Sequence, residues 1–298
     1  MSQVIDHTIL SNRLSGLAGA GHWYVGFSGG VDSTALLHLL VEWRKSHPAA
    51  PPLTAIHVNH ALQSQAQDWE NHCVWICRLL QVPLLVEEVA VDKGSHGPEA
   101  AARDARYAAF ESHLEPDDIL FLGHHLDDQV ETFFLRLLRG SGVRGLAAMP
   151  AQRPLGRGQL VRPLLDVSRQ ALQDYVGEHG LQYIEDPSNS DSRLDRNYLR
   201  HEVLPRLAER WPGYRQTVNR ASEHLANAAA SLEAEVETPP TRFSPVGDPG
   251  FESAQLQRRS TESAALVLRA WLQAAGYKVP DQLALAEFLR QLQEAGSE

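Results

Sequence analysis

The sequence predicts an α/β fold, a parallel sheet with flanking helices followed by a smaller helical domain. Three observations carry this. Short apolar runs alternate with helix-period segments through the first two-thirds of the chain, a glycine turn directly follows the first run, and from about Ser168 the pattern becomes mainly helical.

The elements follow in order. Trp23–Phe27 is a mostly apolar run ending at the turn Ser28-Gly29-Gly30-Val31-Asp32-Ser33. Ser33–Val41 holds helix formers and continues until the Pro48–Pro52 breaker. Leu53–Val58 reads as the second strand, and a helix through Trp69, Val74, Ile76 and Leu80 follows. Val82–Val91 is the third strand, with Pro83 near its start. Pro98–His113 is a helix opened by a proline, whose missing N–H costs little there. Asp118–Gly123 is the fourth strand, and Asp127–Arg139 the next helix, with Val130, Phe133, Phe134 and Leu137 at core spacing. Strands separated by helices of this length imply a parallel sheet covered on both faces, which binds ligands beyond the carboxyl ends of its strands. Thr238–Gly250 is a Pro/Gly-rich loop or linker; Ala264–Ala275 and Asp281–Leu292 are helices, with Gly276 stopping the first. Residues 1–215 form the expected catalytic domain, and 216–298 a helical linker and small helical domain.

The net charge of −10 argues against nucleic acid, but its distribution does not. Seven arginines and one acid, Asp166, lie between Arg136 and Arg169; seven more lie between Arg193 and Arg220 against Asp195, Glu202 and Glu209. Local basic surface matters more than the total for phosphate contacts, and arginine suits phosphate better than lysine. The N-terminus lacks the basic flank and apolar run of a signal peptide, and no stretch approaches membrane-spanning length. Cys73 and Cys77, four apart, suggest neither a disulfide framework nor a Cys-rich metal site. A cytoplasmic protein without membrane contact is the expectation.

Two constellations carry chemistry. In Ser28–Ser33, two glycines let backbone N–H groups converge while the next helix aims its positive end at the same point. Ser28, Ser33 and Thr34 add hydroxyls. The loop lacks the Walker A spacing and lysine. Asp32 would repel a phosphate unless a cation stood between them, so Mg²⁺ is expected. The second run, Gly123-His124-His125-Leu126-Asp127-Asp128-Gln129-Val130-Glu131, begins where the fourth strand ends. Asp128 and Glu131 are three apart and share a helix face, a pair suited to an ammonium group or a metal ion. Acids opposing the helix dipole would explain Asp127 alone. His124 and His125 lack a third soft ligand for zinc. Gly140-x-Gly142-x-x-Gly145 matches a dinucleotide fingerprint but follows a helix, which fails that motif's context.

The hexapeptide resembles the signature of the PP-loop ATP pyrophosphatases, a Rossmann-like nucleotide-binding family. Five further segments then occur in order: Glu99–Tyr107 with Arg103 and Arg106, Leu138–Leu146, Arg162-Pro163-Leu164-Leu165, Ile184–Asn189 and Asp195–Arg200. Together they resemble the tRNA(Ile)-lysidine synthetases over roughly residues 20–220. The resemblance implies an ATP-dependent ligase that adenylates the wobble cytidine of a CAU-anticodon tRNA(Ile) and joins L-lysine to its 2-carbon, releasing AMP and pyrophosphate. It places ATP on Ser28, Gly29, Gly30, Val31, Asp32, Ser33 and Thr34, with Mg²⁺ at Asp32. Catalytic roles fall to Asp32, His124 and Arg106, lysine binding to Asp128 and Glu131, and tRNA contacts to Arg103, Asn197 and Arg200. A homodimer is compatible with it. The resemblance makes 1–215 the PP-loop ATP-binding catalytic domain and 216–298 a helical linker and small tRNA-binding helical domain, and the further C-terminal domain of many family members is expected to be absent from this chain. Rival readings are a tRNA thiolase, which would need reactive or cluster-binding cysteines, a small-molecule PP-loop synthetase, and a non-catalytic RNA-binding module, which would gain nothing from Asp128 and Glu131.

Overall fold

The computed structural model describes residues 5–59, 66–89, 98–277, 279–280 and 282–295. Six strands form one sheet: β1 (Trp23–Gly26), β2 (Leu53–Asn59), β3 (Leu84–Glu88), β4 (Ile119–Phe121), β5 (Gln152–Leu155) and β6 (Gly158–Val161), in the order β3-β2-β1-β4-β6-β5. All neighbours are parallel except β5 and β6. Register is fixed by pairs such as Trp23 with Leu53 on one side and Trp23 with Ile119 on the other. The four expected strands and the helices between them are present, though the third strand is shorter than Val82–Val91, whose last two residues lie outside the described ones.

The β5–β6 hairpin is absent from the sequence reading. Its strands are short and its first carries Pro154, which a sheet tolerates only at an edge, where β5 lies. A two-residue turn, Gly156-Arg157, joins them, and Gly156 takes φ +54°, a conformation glycine adopts without a Cβ clash.

Alternation along the strands sorts the core onto two faces. Val25, Phe27, Ala55, Phe121 and Val161 join the Val31–Lys45 helix and the Arg169–Glu178 helix in one buried cluster. Ile56, Leu120, Leu122 and Leu160 pack with Phe110 and Leu114 on the other. Trp23 anchors the first cluster, its ring 5.2 Å from Phe121 edge-on and 5.4 Å from Trp43. Leu36, Leu37, Leu39 and Leu40 are wholly buried. Each contributes about 1.5–3 kcal/mol of burial, which holds the helix after β1 rigidly on the sheet.

The Leu126–Leu138 helix keeps its core only in its first half. Val130 is fully buried and Phe134 packs with Leu204 and Tyr214, but Leu137, expected in the core, is 46% exposed. A 13-residue helix runs about 20 Å, twice the reach of three-residue β4, so its far end outruns the sheet.

Asp195–Tyr198 continues through a π-helical turn, Leu199–Val203, into the Leu204–Arg210 helix. Pro205 lacks the N–H an α-helix would need there, and the widened turn absorbs the loss. The chain divides into two compact units, Met1–Glu223 and His224–Glu298; the expected boundary at 215/216 falls inside the Tyr214–Ala234 helix. The second unit has its own core of Leu256, Ala264, Val267, Leu268, Leu285 and Leu289. Part of the expected linker forms a minimal hairpin, Arg242–Phe243 with Pro249–Gly250. No helix among the described residues is long and apolar enough to cross a membrane.

Candidate active site

Strand order reverses at β1, which has β2 on one side and β4 on the other, so a crevice opens beyond the carboxyl ends of β1 and β4. Both sequence constellations leave the sheet there. They touch closely: a Cβ on Gly123 would stand 2.9 Å from the Asp32 carbonyl oxygen. Only glycine lets the exit of β4 approach the turn after β1 this tightly.

The Ser28–Ser33 turn is braced from within. Ser28 N–H donates to Ser33 Oγ at 3.3 Å, and Ser33 Oγ donates to the Gly30 carbonyl at 3.0 Å. Thr34 is fully buried, its hydroxyl donating to the Gly29 carbonyl at 3.4 Å, so it serves the turn rather than the crevice. Val31 is buried in the core, while Ser28 is exposed and Asp32 half-buried. Gly29 takes φ +79°, and a Cβ there would meet Cys73 Sγ and Ile184 Cδ1, each at 3.0 Å. The Ile184 N–H also donates to the Gly29 carbonyl at 2.8 Å, so the segment opening the Ile184–Asn189 motif packs on the turn. Cys73, distant in sequence, thus lies directly beneath it. Cys73 and Cys77 are buried free thiols, both pushed up to about 12 by burial.

Beyond β4, His125 caps the Leu126–Leu138 helix. Its Nδ1 accepts from Asp128 N–H at 3.3 Å, while Asp128 Oδ2 accepts from His125 N–H at 3.0 Å, a reciprocal capping box. With Nδ1 accepting, the neutral ring carries its proton on Nε2, which stands 3.5 Å from Asp32 Oδ1. That separation does not satisfy the oxygen, which is buried without a hydrogen-bond partner. Burial disfavours charging His125, yet Asp128, Asp32 and Asp127 together outweigh it and raise its pKa. Burial also opposes ionising Asp128, but His125, then Arg196 and His124, hold its carboxyl down at about 2.

The orphaned Asp32 oxygen bears on Mg²⁺. Such an ion takes one or two carboxylates and completes its shell with water and substrate phosphates. No cluster of three His, Cys, Asp or Glu suited to a metal exists among the described residues, so an all-protein cage does not arise. Asp32 at an anion-binding turn fits an ion held jointly with phosphate.

Asp128 and Glu131 do share a face, and two arginines meet them there. Arg196 Nη2 donates to Asp128 at 2.7 Å and Arg196 Nε to Glu131 at 2.6 Å; Arg200 Nε reaches Glu131 at 2.7 Å. Glu131 is wholly buried. Arg200 is therefore engaged by a carboxylate, and Asn197 is buried, its amide donating to the Ser188 and Asp191 carbonyls at 2.9 and 3.0 Å. Both serve as internal contacts in this structure. Glu131 and Arg200 also line a cavity of about 650 Å³, together with Asp127, Arg169, Leu204, Pro205 and Arg215. Asp127 accepts from Arg215 Nε at 2.5 Å and from the Arg169 N–H at 2.9 Å, while Arg169 Nε is buried without a partner.

His124 faces a different group. Its Nδ1 accepts from Arg162 Nε at 3.2 Å, which places the neutral ring's proton on Nε2. Burial lowers its pKa to about 4. Arg103 and Arg106 lie on the Pro98–Glu111 helix, Arg103 over the Tyr107 ring at 5.5 Å. Sequence reasoning passed over Arg196, Arg162 and Tyr107. The signal for Arg196 was present: Arg196 and Arg200 stand four apart, matching the three-residue spacing of the acids they meet.

The PP-loop domain family matches residues 4–207. The tRNA(Ile)-lysidine synthase of Pseudomonas putida is 58% identical over 211 residues, 71% of this chain and 49% of that protein. Those of Pseudomonas fluorescens and Alkalilimnicola ehrlichii are 47% and 44% identical, covering 89% and 96% of this chain and 61% and 64% of theirs. The chain thus spans about half to two-thirds of the length of these curated relatives. Among solved structures, the U34-tRNA thiolase NcsA from Methanococcus maripaludis, with its 4Fe–4S cluster, is similar at a TM-score of 0.61 over 82% of each chain. At 18% identity that likeness is one of fold. With the glycine turn at the switch point and a family match over two-thirds of its length, the chain belongs to the PP-loop domain family.

Proposed function

We propose that this chain carries the catalytic site of a tRNA(Ile)-lysidine synthetase, which adenylates the wobble cytidine of a CAU-anticodon tRNA(Ile) and joins lysine to its C2 with loss of AMP. The observation that carries the reading is the meeting of an anion-binding turn with a buried carboxylate pair at one switch point, Asp32 beside His125 and Asp128. The named relatives, which are tRNA(Ile)-lysidine synthases, point the same way.

The backbone N–H groups at the start of the Val31–Lys45 helix bind the ATP phosphates. Asp32 would hold Mg²⁺, which when bound would neutralise phosphate charge and favour departure of pyrophosphate. The cytidine 2-carbonyl oxygen attacks the α-phosphorus and pyrophosphate leaves; the lysine ε-amine then attacks C2, loses a proton and displaces AMP. His124, neutral and with its proton on Nε2, is a hydrogen-bond donor for the charge that develops on these oxygens. Arg106 is assigned the same class of role.

The cavity beside Glu131 suits lysine. Its lining combines arginines, including Arg169 with its unpartnered Nε, the carboxylates of Asp127 and Glu131, and apolar Leu204, Pro205 and Ala208. Those three kinds of group suit a carboxylate, an ammonium and an aliphatic stem respectively. Because Arg196 and Arg200 already occupy the acids, the incoming ammonium must share or displace those contacts. Thiolation is disfavoured by two buried cysteines held as thiols.

Glu131→Gln is expected to raise the lysine concentration needed for half-maximal turnover at least tenfold while changing that for ATP less than twofold. Equal effects on the two substrates in steady-state kinetics would remove Glu131 from the lysine site.

A further inference from the structure

Tyr107 stands at the centre of a cationic cluster that the chemistry above does not use. The Arg153 guanidinium lies 5.0 Å and that of Arg103 5.5 Å from the Tyr107 ring centroid. Arg162, 4% exposed, sets its guanidinium against Tyr107 and lowers the pKa of its phenol, while its Nε donates to His124 Nδ1 and its Nη1 to the Pro150 carbonyl. None of these three arginines forms an ion pair among the described residues. Exposed Arg103 and half-buried Arg153 repel Arg162, and Arg162 is itself a buried cation without a counter-charge among the described residues, which is costly. An anion between them removes that cost. A guanidinium cannot accept a hydrogen bond, so the phenolic proton stays available to donate to such an anion.

We propose that Tyr107, Arg103, Arg153 and Arg162 dock a backbone phosphate of the RNA strand that presents its base to the active site. The proposal rests on the tRNA-modifying reading above. Sheet order separates this phosphate from those of ATP. Arg153 lies on β5, three strand spacings or about 14 Å from β1, whose end carries the ATP turn. A triphosphate anchored at Ser28–Ser33 does not reach so far sideways, whereas a polynucleotide continues across the sheet edge. The cation–π contacts occupy the tyrosine ring, so the recognition is of phosphate rather than of a stacked base. Arg162 links the two sites: one guanidinium touches both the phosphate-binding hydroxyl and His124, so docked RNA orders the donor facing the reacting base.

The test uses the full chain and a fluorescent anticodon stem-loop RNA carrying CAU, titrated at several salt concentrations, with MgATP affinity measured in parallel. Arg153→Gln is expected to weaken RNA binding about tenfold and lower the salt slope by about one contact, since each phosphate contact contributes slightly less than one to that slope. Arg153→Lys should restore the slope, and Tyr107→Phe should weaken binding several-fold at unchanged slope. MgATP affinity and thermal unfolding should stay as in the wild type. Unchanged RNA affinity in Arg153→Gln and Tyr107→Phe, with wild-type binding intact, would overturn the proposal alone. Equal losses for RNA and MgATP would assign the cluster to the nucleotide and overturn it too. A wild-type chain that binds no RNA would remove the tRNA reading and this proposal with it.

Discussion

His124 and His125 are consecutive, yet their surroundings drive their protonation in opposite directions. Burial and the arginines near it hold His124 down at about 4, while the carboxylates around His125 raise it. The sign of each follows from linkage. For His124 the unfolded chain binds a proton at a pH where the folded one does not, so stability falls as pH drops from about 6.5 to about 4. By the size of that shift the loss is roughly 3 kcal/mol. For His125 the raised pKa contributes stability that is present at low pH and fades as pH rises through its folded value. The two partly offset each other in the wild type. Replacing His124 by Asn should therefore flatten the acid-side loss, read as urea midpoints at pH 7, 5.5 and 4.5. A variant whose midpoints fall as steeply as the wild type's would contradict a neutral, half-buried His124.

At the scale of elements, the acid-bearing Leu126–Leu138 helix and the Asp195–Arg210 segment are joined by a buried ion-pair network. Arg200 decides how that contact should be read. A solvent-facing arginine reserved for RNA can be removed at a cost within about 0.5 kcal/mol. An arginine paired to wholly buried Glu131 leaves an uncompensated charge behind, which costs about 3–5 kcal/mol. Arg200→Ala is expected at the lower end of that range in denaturant unfolding, because Arg196 still meets Glu131. A loss below 0.5 kcal/mol would return Arg200 to the RNA surface. The same network shows where the sequence was legible. Ser28–Ser33 and His124–Glu131 are local runs whose chemistry lies in neighbouring residues, and both could be placed at strand ends from periodicity alone. The Arg196–Glu131 pair spans 65 positions and the Arg162–His124 pair 38, distances over which no periodicity speaks. The β5–β6 hairpin was hidden because its four-residue strands carry a proline and half of their residues are polar or glycine.

At the scale of the whole molecule, the first compact unit holds every residue assigned to ATP, lysine and RNA, and the second has its own small core. The net charge of −10 conceals this division of labour, since both arginine-rich stretches fall in the first unit. Those arginines are not one surface. Arg196, Arg200 and Arg215 are spent on buried or half-buried acids, whereas Arg153 and Arg162 gather with Arg103, from outside those stretches, around Tyr107 and form no ion pair among the described residues. The central claim is that one crevice first activates an RNA base with ATP and then delivers lysine to it. The most direct measurement is pyrophosphate release from MgATP with a CAU-anticodon tRNA(Ile), with and without lysine, following labelled lysine into the RNA. The account predicts release that requires this tRNA, and label that enters it only when ATP is present. Release that is indifferent to the tRNA, or that proceeds with it while no lysine is incorporated, would contradict the account.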